Sequence, residues 1–96
     1  MFQDRAEVSI REVVAFQGLM KHPGKWYNAS EWAKLTGVTR WGICQQLARF
    51  AQMGLVEKRA IYPTTFYRFN EEDARKSGIF PLFEEALNLL KEREAQ

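Results

Sequence analysis

The short break Thr36-Gly37-Val38-Thr39 separates two segments of helical periodicity and constrains the fold more than any other feature of the chain. Upstream, Asn28 stands three residues before Glu31, a spacing at which both side chains can satisfy the orphan backbone donors of a helix start. The spacing predicts a helix from about Ala29 to Leu35 that buries Trp32, Ala33 and Leu35. Gly37 then supplies the left-handed conformation that a tight helix exit requires. Downstream, Thr39 is placed to cap a longer helix from about Arg40 to Met53. Its apolar positions Ile43, Leu47 and Phe50 are spaced four and three apart, which is one helical face. Ala51 is expected on the same packed side, and Gly54 ends the helix.

A further helix precedes this pair. Ser9-Ile10-Arg11-Glu12 has the spacing of a capping box, and Ile10, Val13, Val14, Leu19 and Met20 follow at roughly helical intervals. His22-Pro23-Gly24 closes it, because a residue before proline resists helical geometry. Phe2 and Val8 are expected to extend the packing ahead of it. Lys25-Trp26-Tyr27 is long enough for a minimal strand or an extended connection. Beyond Gly54, Leu55–Tyr62 and Phe66–Phe69 are β-prone, and Pro63-Thr64-Thr65 reads as the turn of a hairpin. Asn70 and the acids Glu71, Glu72 and Asp73 suit a short helix to about Ser77. Pro81 suits the first turn of a last helix, with Leu82, Phe83, Ala86, Leu87 and Leu90 along one side.

Charge is distributed unevenly. The net charge is only +2, yet from Lys21 to Phe69 eight basic residues face only Glu31 and Glu57, whereas from Asn70 onward seven acids outnumber four bases. A basic middle and an acidic tail point to a polyanionic partner. With 96 residues, one compact domain is expected. The lone Cys44 excludes an intrachain disulfide and fits a reducing cytoplasm. No stretch approaches the roughly 20 apolar residues of a membrane span, and the first residues lack the apolar run of a signal peptide. A cytoplasmic location is therefore expected.

Helix, short strand, helix, glycine turn, helix and hairpin, in that order, form a helix-turn-helix followed by a wing. The stretch from Asn28 to Phe69, including Ala-Ser-Glu-Trp-Ala-Lys-Leu-Thr-Gly-Val-Thr-Arg-Trp-Gly-Ile-Cys-Gln-Gln-Leu-Ala-Arg-Phe from Ala29, resembles the winged helix-turn-helix superfamily of transcription regulators. Within that superfamily it looks like the small regulators of the multiple-antibiotic-resistance-regulator-like type. In the family pattern, the residue matching Ala33 packs on the third helix, Gly37-Val38-Thr39 occupies the turn and Gly54-Leu55-Val56 starts the wing. The resemblance implies a mainly α fold with a small β-hairpin: a winged helix-turn-helix over residues 1–78, and a C-terminal helix over 79–96 that packs on the first helix or dimerises. It also implies a non-enzymatic protein that binds double-stranded DNA and regulates transcription, acting as a homodimer through its terminal helices.

The candidate contacts follow from chemistry. With Ile43, Leu47 and Phe50 turned inward, Arg40, Trp41, Gln45, Gln46 and Arg49 are expected to be exposed on the third helix. Arginine can bond guanine and glutamine adenine in bidentate fashion, and Thr39 at the helix start can bond a phosphate. Trp41 reads equally as a partner-seeking aromatic or as a rim residue covering the second helix. Gly42 either admits a close DNA approach or relieves a clash with the N-terminal turn of a neighbour. In the wing, Lys58, Arg59 and Arg68 are candidate phosphate contacts, and strand alternation places Lys58 and Arg59 on opposite faces. The competing readings are a protein-interaction adaptor, marked by Trp41 and Tyr62, and a replication or mobile-element DNA-binding protein. No cofactor or metal is expected: His22 is the lone histidine, and Cys44 sits mid-helix without a nearby base.

Overall fold

The computed structural model describes residues 8–94, so the expected packing of Phe2 lies outside the described residues. The elements run α1 (Ile10–Met20), β1 (Trp26–Asn28), α2 (Ala29–Thr36), α3 (Arg40–Met53), β2 (Val56–Ile61), β3 (Thr64–Phe69), α4 (Glu71–Arg75) and α5 (Phe80–Glu94). The three strands form one antiparallel sheet in the order β1-β3-β2. It is mainly α with a small sheet, as the sequence predicts.

Capping chemistry sets the helix starts. Ser9 Oγ accepts from the Glu12 amide at 3.1 Å while Glu12 Oε1 accepts from the Ser9 amide at 2.9 Å. Asn28 and Glu31 make the same reciprocal pair at the head of α2, at 2.9 Å each way. Thr39 Oγ1 accepts from the Gly42 amide at 3.1 Å. Each such cap is worth about 0.5–2 kcal/mol. Gly37 ends α2 at φ 77° and Gly54 ends α3 at φ 82°, both in the left-handed region where a side chain is strained.

The core is organised around Phe16, which is fully buried. Its ring lies 6.3 Å from Phe50, 5.8 Å from Phe69, 5.6 Å from Phe80 and 5.1 Å from Phe83, so one side chain joins α1 to α3, β3 and α5. Three of these contacts are edge-on, an arrangement worth up to about 1.5 kcal/mol beyond burial alone. A second anchor is Trp32, also fully buried. Its indole Nε1 donates to the Tyr67 carbonyl at 3.0 Å and its ring meets Tyr27 edge-on at 4.9 Å, which fixes α2 to the sheet.

Several sequence expectations need correction. Ile10 and Val14 are exposed rather than buried, and Val13, Ala15, Phe16 and Leu19 form the inner face of α1 with Glu12 buried among them. At about 3.6 residues per turn the buried residues centre on Phe16, which leaves Ile10 and Val14 on the opposite side of the helix. The hairpin turn is Tyr62-Pro63 alone, because Thr64 and Thr65 pair with Ile61 and Ala60 in β3. Their β-branched side chains suit a strand better than a loop. Gly18 has a packing role that the sequence did not suggest. A Cβ built there would lie 2.6 Å from Thr36 Cγ2 and 3.1 Å from Thr36 Cα, so α1 and α2 meet at a spacing only glycine permits.

The candidate nucleic-acid interface

The outer face of α3 carries most of the residues the sequence offers as candidate contacts. Thr39, Arg40, Trp41, Gln45 and Arg49 are exposed, with Trp41 at 71%, and α3 carries no acidic residue along its length. At that exposure Trp41 is not a rim aromatic packed over α2. Gln46 departs from expectation. It is only half-exposed, and its Oε1 is buried with no hydrogen-bond partner. Helical geometry turns it toward the core flank, next to Ile43 and Phe50 on the same side.

The two arginines of α3 diverge. Arg40 lines a recess of about 390 Å³ with Ser30 at the head of α2, Cys44, and Thr64 and Thr65 of the wing. Arg49 lies on the opposite flank, where its guanidinium comes within 3.8 Å of the Glu12 carboxylate of α1 while staying 61% exposed. Sequence spacing identifies Glu12 only as the capping partner of Ser9 and does not reveal this contact. Tyr67 closes the floor of the recess. Burial pushes its phenol above the ordinary value of 10.0, with a smaller contribution from the neighbouring Cys44 thiol, so the phenol stays protonated at neutral pH.

Gly42 also becomes interpretable. A Cβ there would sit 3.0 Å from Thr39 Oγ1 and 3.3 Å from Val38 Cγ1. The glycine therefore makes room for the cap of its own helix, rather than for the N-terminal turn of a neighbour.

On the wing, the register pairs Glu57 with Arg68 and Lys58 with Tyr67, which puts Lys58 and Arg59 on opposite faces, as strand alternation requires. Arg59 and Arg68 both lie over the Trp26 ring, at 4.8 Å and 4.7 Å from its centroid. Such stacking contributes about 0.5–2 kcal/mol. Arg68 is further held by Glu57, with Nε at 2.7 Å and a second guanidinium nitrogen at 2.6 Å from Oε1. It is the least available of the predicted wing contacts. Among the described residues, Arg40, Lys58 and Arg59 form no ion pair. The tip carries Tyr62, 96% exposed, beside Ile61 at 58%; neither is among the DNA contacts that the sequence predicts, although Tyr62 marks the adaptor reading. Trp26 as a platform for two arginines was also missed, since it depends on strand pairing between distant segments.

No known family matches the chain's sequence, and no curated protein matches it. Among solved structures, the crystal structure of the AntR antimony-specific transcriptional repressor superposes with a TM-score of 0.56 at 18% identity, over 88% of this chain and 69% of that one. The fold is winged helix-turn-helix. At that identity the likeness is one of fold, and it does not single out the multiple-antibiotic-resistance-regulator-like type. In this fold α2 and α3 are the helix-turn-helix and β2–β3 the wing. Among the described residues no helix is long and apolar enough to cross a membrane, and no cluster of three or more His, Cys, Asp or Glu is arranged to hold a metal ion.

Proposed function

We propose that this protein is a sequence-specific double-stranded DNA-binding transcriptional regulator, with α3 in the major groove and the β2–β3 wing on the backbone. The observation that carries the reading is the acid-free outer face of α3, exposed at Thr39, Arg40, Trp41, Gln45 and Arg49, together with the exposed wing residue Lys58, which forms no ion pair among the described residues. A major groove about 12 Å wide admits one helix, and cations at its rims neutralise phosphates with release of counterions. Reading a symmetric site calls for two copies. The exposed Ile10, Val14 and Leu89 of the terminal helices are the apolar surface on which a cytoplasmic homodimer would form.

Fluorescence anisotropy of a labelled duplex across a salt series tests this. The logarithm of affinity should fall linearly with the logarithm of salt, and Arg40→Ala should reduce the slope by about 1. Undetectable binding to specific and random duplexes at low salt would remove the reading. A second reading, a protein-interaction adaptor, draws support from the exposure of Trp41 and Tyr62. It requires a protein partner whose capture is lost on Trp41→Ala, with no affinity for DNA.

A further inference from the structure

The outer face of α3 has an order that composition does not reveal. Trp41, Gln45, Ala48 and Gln52 are all exposed, and their spacing of four, three and four residues aligns them along one line of the helix. That line spans about 16 Å at 1.5 Å per residue. It holds two primary amides and two apolar groups, and no charge. The guanidiniums stand to either side of it. Arg40 turns to the recess beside the wing, and Arg49 turns to α1, where Glu12 lies 3.8 Å away. The side chain best suited to guanine is therefore displaced from the centre of the face toward the flanks, where the phosphates of a bound duplex run.

We infer that α3 reads A·T base pairs, with Gln45 as the specificity-determining residue and Trp41 and Ala48 against thymine methyl groups. The inference rests on the proposed binding of duplex DNA and names the class of site. A glutamine amide presents one donor and one acceptor, the complement of adenine N6 and N7. Thymine alone offers an apolar methyl in the major groove, and Ala48 and the indole of Trp41 are the uncharged, apolar neighbours of Gln45 on the line. Charge agrees with this occupant: the segment from Lys21 to Phe69 that contains α3 and the wing carries eight basic residues against two acidic.

The test begins with selection of bound duplexes from a random pool, followed by measurement of affinity for the selected site and for the same site with every thymine replaced by uracil. Uracil keeps the pairing and removes the methyl. A·T-rich sites are expected to be enriched, and the uracil duplex is expected to bind about threefold to tenfold more weakly. Gln45→Ala should lower the preference for A·T over G·C at one position by about tenfold, within the range of a bidentate pair. Gln45→Arg should transfer that preference to G·C. Both exchanges are made at the exposed Gln45, and matching melting curves verify folding. Enrichment of G·C-rich sites, or equal affinity for thymine and uracil duplexes with Gln45→Ala unchanged in preference, overturns the inference while leaving duplex binding intact. Absence of any bound duplex at low salt overturns both.

Discussion

Phe16 and Trp41 are large aromatic residues on two helices of one small domain, and their surroundings are opposite. Phe16 is fully buried and touches four other phenylalanine rings drawn from three elements besides its own. Trp41 leaves 71% of its surface to solvent. The first region, on the α1–α5 side, spends its aromatic surface on cohesion. The second, on the outer side of α3 and the wing, leaves Trp41, Ile61 and Tyr62 outside. Folding gains little from an exposed aromatic, so the second region can change without loss of the fold. A surface of that kind is available for binding.

This contrast makes graded predictions. Phe16→Ala removes the side chain that joins α1, α3, β3 and α5, and denaturant unfolding should register a loss of about 3–5 kcal/mol. Since small domains have about 5–15 kcal/mol in total, that variant is expected near the limit of folding. A loss under about 1 kcal/mol would show that the core does not centre on Phe16. Next comes Gly18→Ala, which forces α1 away from the Thr36 backbone and should destabilise by about 1–3 kcal/mol, visible as a lowered Tm. No change in Tm would mean that the helices separate freely there.

Smaller effects separate the tryptophans. Trp32→Phe keeps a ring but loses the donor to the Tyr67 carbonyl, and urea unfolding should show a loss of about 1–3 kcal/mol. Trp41→Ala should leave stability within about 0.5 kcal/mol of the parent. If Trp41→Ala unfolds the protein as Trp32→Phe does, the division into a cohesive side and a binding side is wrong.

Much of this architecture is legible in the sequence where the determinants are local. Thr39 and Gly54 bracket α3 at the ends the structure has, and Asn28 with Glu31 starts α2, because capping and left-handed exits depend on residues a few positions apart. The burial of Ile43, Leu47 and Phe50 follows from periodicity alone. Determinants that join distant segments are not legible. Glu12 reads as a capping residue on a surface, yet it is buried and faces Arg49 from α3. Gly18 looks like a weak point in a helix, and only the crossing with Thr36 explains it. In the site, exposure of Arg40, Trp41 and Gln45 follows from the helical face. The inward turn of Gln46, the capture of Arg68 by Glu57 and the stacking of two arginines on Trp26 require the tertiary arrangement and the strand register.

The most direct test of the proposed interface is NMR titration of the isotope-labelled protein with duplex DNA. Trp41 and Trp32 serve as paired reporters, because one indole faces solvent and the other is hydrogen-bonded in the core. The account predicts a large shift of the Trp41 indole resonance and of backbone amides from Thr39 to Arg49 and along the wing, with the Trp32 indole and α5 amides nearly unmoved. Shifts confined to α1 and α5, with Trp41 unperturbed at saturating duplex, would contradict it.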